Sequence, residues 1–307
     1  MASRRGRALD GVLLLDKPEG LSSNHALQRA RRILDARKAG HTGTLDPFAT
    51  GLMVLCFGEA TKFSGGMFHA DKRYTATMAL GEETDSGDRT GLPVVFPGQD
   101  PARPVDEAGM RDALSRFVGM IAQVPPMYSA LKREGRPLYE YAREGVTLER
   151  EPREVTIHEL RLVSMRGREA TIDVGCSKGT YIRTLAQDIG RVLGCGAHLT
   201  ALRRTRTAGF DLAQAWTLER LEALADPASA LLPADVLLEG MDAVRLDAAA
   251  ASRFMQGRKE RLEAVAAMAA SIDKVRVYGP EGKFLGTARR DDGWLQPDRL
   301  ISFKETT

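Results

Sequence analysis

The 307-residue sequence is poor in cysteine and has no long apolar run. A bilayer-spanning helix needs roughly 18 consecutive apolar residues, and the apolar run at residues 12–15 is too short even for a signal peptide. The three cysteines, Cys56, Cys176 and Cys195, lack C-x-x-C spacing, which argues against a disulfide framework and against a zinc site. These absences predict a cytoplasmic protein with reduced thiols, no membrane contact and no bound metal.

Charge of either sign is also not in large excess, because the formal net charge is only +3. The basic residues are nevertheless grouped at residues 4–7, 29–38 and 203–206. One such group usually forms a solvated face, but three groups near candidate functional segments favour a polyanionic partner. The apolar fraction of 43% and the charged fraction of 28% are typical of a soluble globular protein with one large or two ordinary domains.

The most distinctive segment is the turn HTGTLDPFATG at residues 41–51, which an apolar run follows. Gly43 and Gly51 permit backbone conformations that a Cβ would forbid, and Pro47 fixes φ directly after Asp46. This setting predicts a carboxylate that is held in one direction. A plain Asp-Pro turn before a buried strand is the alternative interpretation of the same residues.

Hydrophobic periodicity predicts strands and helices up to about residue 240 and a small β-rich unit beyond it. The predicted strands lie at residues 11–16, 52–57, 74–80, 155–163, 170–176 and 198–204. One helix is predicted after a cap at residues 22–24, and others near residues 106–118, 137–144 and 181–193. A change in composition near residue 240 predicts a domain boundary there.

Three segments carry side chains that suit chemistry on a flat ring: the Asp46 turn, residues 72–74 and residues 177–183. If the fold brings them together, Arg183 favours the ionised form of Asp46, and an ionised, positioned aspartate acts as a nucleophile or a base. Tyr74 offers a face for base stacking, which is worth about 1–3 kcal/mol. Taken alone, the same residues also fit a packed tyrosine and a surface ion pair.

Seven segments, in order along the chain, resemble the bacterial tRNA pseudouridine-55 synthases, which isomerise a uridine in the T-arm loop of tRNA. Among them are GVLLLDKPEGLSS, AGHTGTLDPFATG, KRYTATMALGEETDSGD and CSKGTYIRTLAQDIG. The seven occupy residues 11–23, 39–51, 58–64, 72–88, 125–145, 176–190 and 194–210. Ser86 stands where the family more often has threonine, which weakens any role inferred for Asp85 or Asp88.

The resemblance implies an enzyme that converts uridine to pseudouridine at position 55 of tRNA, with an aspartate nucleophile acting on a flipped-out base. The catalytic residues it implies are Asp46, Tyr74 and Arg183. The substrate-binding residues it implies are His41, Tyr181, Leu202, Lys17 and Lys178. Because the reaction breaks and re-forms one glycosidic bond with no change of oxidation state, no cofactor and no metal are expected. The expected partner is the T-arm stem-loop of tRNA, bound by a monomer with no obligate protein partner.

The resemblance also implies an α+β fold, with a mainly antiparallel mixed sheet flanked by helices and a small C-terminal β-barrel. Residues 254–257, 282–286 and 296–300 resemble a PUA domain, a small RNA-binding unit, whereas the Ala-rich residues 263–271 depart from that pattern. The expected organisation is a catalytic domain at residues 1–240, with an RNA-binding insertion at about residues 105–150, and a PUA-like domain at residues 241–307.

Other functions fit parts of the same sequence. An RNA-binding chaperone of tRNA folding would share the basic groups, and a guide-RNA-dependent synthase subunit would share the aspartate turn. A glycosidase is disfavoured because it normally needs two constrained carboxylates, and no second acid lies in a motif like that of Asp46. The residues also leave open whether Asp46 attacks the sugar carbon, adds to the ring or abstracts a sugar proton.

Overall fold

The structure, a computed structural model, describes residues 6–261 and 273–302. Arg4, Arg5 and the Ala-rich residues 263–271 lie outside the described residues. The strands are β1 (Gly11–Lys17), β2 (Ala39–His41), β3 (Thr50–Phe57), β4 (Lys72–Leu80), β5 (Glu83–Thr84), β6 (Pro93–Val94), β7 (Gly119–Gln123), β8 (Lys132–Arg133), β9 (Arg136–Pro137), β10 (Arg153–Arg166), β11 (Glu169–Cys176), β12 (Ala197–Thr207), β13 (Phe210–Asp211), β14 (Ala243–Arg245), β15 (Glu260–Arg261), β16 (Lys274–Tyr278), β17 (Phe284–Asp291) and β18 (Trp294–Leu300). The α-helices are α1 (Ser23–Ile33), α2 (Glu107–Ser115), α3 (Leu138–Arg143), α4 (Ile182–Leu193), α5 (Leu218–Glu222) and α6 (Ala248–Met255).

The larger sheet has the strand order β1-β3-β12-β4-β11-β10-β7, with β2 paired to β3 and β13 paired to β12. β3 and β12 run parallel, and the other neighbouring pairs run antiparallel. The predicted mainly antiparallel mixed sheet is therefore confirmed.

Helix α4 is fixed against this sheet by local features of its sequence. Apolar residues at helical spacing, such as Leu185 and Ile189, are fully buried. The helix ends at Leu193, and the next residue, Gly194, caps it in the left-handed conformation with φ 77°. Gly190 permits close packing, because a Cβ there would lie 2.2 Å from the backbone nitrogen of Ala197. These contacts pack α4, which carries Arg183 near its N-terminal end, against the sheet.

Strands β1 and β3 are buried on both faces, so alternate side chains enter two different cores. Leu13 and Leu55 pack into the main core with helix α1, whereas Leu14 and Val54 pack into a second core on the opposite face. Partly buried Phe284 of β17 packs against that second core. The C-terminal part of the chain therefore helps to cover the sheet that carries the predicted Asp46 turn.

The C-terminal sheet has the order β14-β16-β17-β18-β15 and curls into a half-barrel around its own core. It docks through an edge-to-face contact of Phe63 and Phe284, whose ring centroids are 5.2 Å apart. The Tyr278 hydroxyl donates to Asp235 over 2.8 Å across the same boundary. These features confirm the predicted fold class. In the part of the chain that the structure describes, no helix has the length and apolar character needed to cross a membrane.

Candidate active site

The backbone of the Asp46 turn is fixed by hydrogen bonds from residues at and just before the start of α1. Ser23, which is buried, donates its hydroxyl to the Leu45 carbonyl over 2.9 Å and accepts the Leu45 N–H over 2.7 Å. The N–H of Gly20 donates to the Pro47 carbonyl over 2.8 Å. Because the residues on both sides of Asp46 are fixed in this way, its carboxylate is aimed rather than free.

The turn forms one wall of a cavity of about 250 Å³. Strand β4 supplies Tyr74 to it, β12 supplies Leu202, and the start of α4 supplies Arg183. Five of the eight predicted site residues line this cavity: Asp46, Tyr74, Tyr181, Arg183 and Leu202. The structure thus brings the three predicted catalytic side chains to one place.

Arg183 binds Asp46 in a two-point ion pair inside the cavity. Its Nε lies 3.0 Å from Oδ2 of Asp46, and its Nη2 lies 3.4 Å from Oδ1. The remaining donors reach the Ser86 carbonyl at 2.8 Å and the Tyr128 carbonyl at 2.7 Å. Asp88 adds a second carboxylate, 3.7 Å from Nη1. These acceptors fix the orientation of the buried guanidinium, and the guanidinium in turn fixes the orientation of the Asp46 carboxylate.

Opposing effects act on the protonation of Asp46. Burial raises the pKa of Asp46 above that of a free aspartate, Arg183 opposes this by favouring the charged form, and Asp88 raises it further. The net direction is upward. The carboxylate is therefore partly desolvated and paired, and such a group reacts more readily than one in water.

Two tyrosines and a leucine complete the apolar walls. Tyr74 lies on β4 between β11 and β12, and burial raises the pKa of its hydroxyl. Burial also raises the pKa of Tyr181, which precedes α4 directly. Both phenols are held in the neutral form, and with Leu202 they make a surface suited to a flat, uncharged ring.

The other predicted substrate residues lie outside the lining of this cavity. His41 is at the end of β2, with its Nδ1 buried and without a hydrogen-bond partner among the described residues. Burial, and secondly Arg204, lower the pKa of His41. Lys178 is exposed and lies in the chain between the lining residues Ser177 and Gly179, and its ammonium lies 2.5 Å from Nδ1 of His69.

Lys17 occupies an unexpected place for a substrate-binding lysine, because it is fully buried beneath the turn. Its ammonium donates to the carbonyls of Pro18, Leu21 and Pro47 at 2.8, 2.7 and 3.3 Å. Burial lowers its pKa to about 8. This geometry favours support of the turn over contact with a substrate.

Replacing Lys17 should therefore reduce stability. Lys17→Met removes a fully buried ammonium that donates to three partly buried carbonyls, and we expect the free energy of unfolding to fall by about 2–4 kcal/mol. Urea unfolding at pH 7 measures it, with exposed Lys132→Met as the matched control. An unchanged unfolding midpoint would contradict the supporting role.

The same lysine makes stability depend on pH in a definite direction. Its pKa is about 8 in the folded state and near 10.5 when unfolded, so between these values the unfolded state binds more protons. The wild type should therefore gain stability as the pH rises from about 8 to 10.5, relative to Lys17→Met at each pH. The measurement is the free energy of unfolding by urea at several pH values, and curves that run parallel for the two proteins would contradict this.

Three polar residues of the site were not predicted from sequence. The Asp88 carboxylate and the Ser86 carbonyl both contact Nη1 of Arg183, and the resemblance gave neither residue a role. Arg204 is buried beneath the turn and was predicted only as part of a basic group. Among the described residues, no group of three or more His, Cys, Asp or Glu side chains is placed to hold a metal ion.

Comparison with known families covers nearly the whole described chain. The sequence model for the N-terminal domain of the TruB family pseudouridylate synthases matches residues 31–182. The tRNA pseudouridylate synthase B C-terminal domain matches residues 183–239, and the C-terminal domain of pseudouridine synthase II TruB matches residues 243–301. The chain belongs to the TruB family. It is therefore a pseudouridine synthase.

Individual TruB relatives agree with this assignment. tRNA pseudouridine synthase B of Bordetella pertussis (strain Tohama I) is 66% identical over 241 residues, which is 78% of this chain and 98% of that protein. tRNA pseudouridine synthase B of Burkholderia mallei (strain NCTC 10247) is 56% identical over 299 residues, which is 96% of this chain and 98% of that protein.

Solved structures resemble the fold of this TruB chain as well. A crystal structure of a Cbf5-Nop10-Gar1 complex superposes with a TM-score of 0.68 at 26% identity, covering 91% of this chain and 78% of that chain. The structure of an H/ACA RNP bound to a substrate RNA containing 2'-deoxyuridine superposes with a TM-score of 0.71 at 22% identity. The match covers 96% of this chain and 86% of that chain. The second likeness concerns the fold alone.

Proposed function

We propose that this enzyme isomerises uridine to pseudouridine at position 55, in the T-loop of tRNA, with Asp46 as the nucleophile. The observation that carries the proposal is the two-point pair of Asp46 and Arg183 inside a cavity lined by Tyr74 and Leu202. The names of the Bordetella and Burkholderia relatives support tRNA as the substrate.

The cavity suits a reaction in which a base detaches, turns and rejoins. The bond from C1′ to N1 breaks, the uracil rotates, and a bond from C1′ to C5 forms. C5 then loses its proton and N1 gains one, so that atoms and electrons balance without a co-reactant. A base in a folded loop must first leave its stack, at a cost of a few kcal/mol. Stacking on Tyr74 and contact with Leu202 offset that cost and keep the detached ring in place.

Recognition of the RNA is proposed to depend on shape and charge around this cavity. Lys72 lines it, and exposed Lys178 lies in the chain between the lining residues Ser177 and Gly179, so both suit phosphate groups of a splayed loop. We further propose that residues 1–240 form the catalytic domain and that its insertion at about residues 105–150 contacts RNA. Residues 241–307 would act as a PUA-like RNA-binding domain, and the enzyme would work as a monomer.

The test is pseudouridine formation in unmodified tRNA transcript, mapped to single nucleotides, with purified enzyme and no other protein. We expect modification at the T-loop uridine, and no modification of a transcript in which that uridine is replaced by cytidine. Modification only after addition of a guide RNA and partner proteins would favour a guide-dependent subunit. Tight tRNA binding without any product would favour a folding chaperone.

A further inference from the structure

The basic group at residues 203–206 separates into three different environments. Arg203 pairs with Asp16, with Nη2 at 2.6 Å from Oδ2, and Arg206 pairs with Asp211, with Nε at 2.7 Å from Oδ2. Arg204, between them, is buried with only 3% of its surface exposed. The three neighbours therefore do not form one phosphate-binding surface.

A β-bulge explains why Arg204 and Arg206, two residues apart on β12, do not share a face of the strand. The pairing of β12 with β4 shifts register between Arg204 and Arg206, so Thr205 is an extra residue on β12. Bulges of this kind redirect side chains and are common beside active sites. Gly51 makes the close approach possible: its φ is +103°, and a Cβ there would lie 2.3 Å from the Arg204 carbonyl.

The Arg204 guanidinium spans the backbone of the Asp46 turn. Its Nε donates to the Leu52 carbonyl at 2.7 Å, its Nη2 to the Gly43 carbonyl at 3.2 Å and its Nη1 to the Thr44 carbonyl at 3.4 Å. It links the segment before Asp46 to strand β3 after it. Loss of this side chain would free one side of the turn.

The positive charge of Arg204 has no carboxylate partner among the residues that the structure describes. Within residues 6–261 and 273–302, no ion pair joins its guanidinium to a carboxylate at 4.0 Å or less. Burying an unpaired charge lowers stability unless backbone dipoles compensate it. The charge of Arg204 also acts on two residues of the cavity. It adds to burial in lowering the pKa of Lys72, and it opposes the rise in the pKa of Tyr74 that burial causes.

We propose that Arg204 is a positioning residue that fixes the turn carrying Asp46 and keeps an unpaired positive charge at the wall of the uridine cavity. The inference rests on the proposed role of Asp46. Arg204 lines the cavity together with Asp46 and Tyr74, so its charge faces the region that the polyanionic substrate would enter. Arg183 holds the carboxylate of Asp46, and Arg204 holds its backbone.

The test compares Arg204→Ala and Arg204→Lys with Arg168→Ala. Arg168 is the matched control because its guanidinium also donates to backbone carbonyls, those of Leu80 and Pro101, away from this cavity. We expect Arg204→Ala to lower kcat by about 10²-fold or more, because small displacements of a reacting group have effects of that size. Affinity for tRNA should change far less, and Arg204→Lys, which keeps the charge, should recover part of kcat.

Two further readouts separate positioning from a general loss of structure. Added guanidinium at millimolar concentration should raise the kcat of Arg204→Ala at least tenfold, whereas the same concentration of sodium chloride should not. Hydrogen exchange of residues 42–47 should quicken in Arg204→Ala and not in Arg168→Ala.

The proposal is overturned if kcat is unchanged in Arg204→Ala, if the loss lies entirely in tRNA affinity, or if exchange of the turn is unaffected. Should Arg204→Ala fail to fold, Arg204→Lys with wild-type kcat and wild-type exchange would also overturn it. Absence of T-loop modification by the wild type would instead refute the proposed function, and the exchange rates would still report on the turn.

Discussion

Asp46→Asn is expected to abolish pseudouridine formation, with kcat lowered by about four orders of magnitude or more. The amide keeps the shape of the side chain but cannot act as a nucleophile, and it removes the negative charge that Arg183 binds through Nε and Nη2. Single-turnover assays on tRNA transcript measure the rate, and filter binding measures the affinity. Binding should persist, because Asp46 is one group in a large RNA interface.

Asp226→Asn is the matched control for this substitution. Asp226 caps the short 3₁₀ helix Pro227–Ala230, away from the cavity, where its carboxylate accepts the N–H of Ala228 over 3.2 Å, and asparagine caps a helix about equally well. Wild-type turnover is expected. Turnover by Asp46→Asn within tenfold of the wild type would show that the carboxylate is not the nucleophile.

Arg183→Met is expected to lose both stability and activity. The substitution leaves Asp46 and the buried Asp88 facing one another without their shared cation. Breaking a buried ion pair from one side costs about 3–5 kcal/mol, which urea unfolding measures. We also expect kcat to fall by about 10²–10³-fold, because Asp46 loses its fixed orientation and its pKa rises further.

Arg191→Met separates these two losses. Arg191 lies on the same helix and pairs with Glu83, whose side chain is almost fully buried. Its removal also leaves a buried carboxylate without a guanidinium, so stability should fall while kcat stays near that of the wild type. Equal loss of kcat in both variants would mean that Arg183 acts on the fold alone.

The sequence predicted the regular elements well where one physical signal dominated. The expected helix at residues 181–193 corresponds to α4 at Ile182–Leu193, because its apolar spacing and the following Gly194 agree. The helix expected at residues 106–118 ends at Ser115 instead. Strand β7 at Gly119–Gln123 was not predicted, because it is an edge strand whose exposed residues include Met120.

The sequence predicted which residues belong to the site, but it did not predict which of the basic residues near the site are buried. The resemblance selected Asp46, Tyr74 and Arg183, which the fold places around one cavity, and their roles stay predictions. Charge counting could not separate buried Arg204 from exposed Arg206, because a register shift on β12 places the two side chains on different faces of the strand. The burial of Lys17 was equally invisible, since it depends on carbonyls from three other residues.

The burial of all three thiols supplies a reporter that needs no engineered label. Cys56 is on β3, Cys176 ends β11 and Cys195 lies between α4 and β12, so they sample two strands of the larger sheet and the connection that leads into a third. Burial raises the pKa of Cys56 to about 12 and that of Cys176 to about 11, and the reactive species is the thiolate. An alkylating reagent at neutral pH therefore modifies these sites only when the sheet opens, and mass spectrometry can time the opening of each region separately.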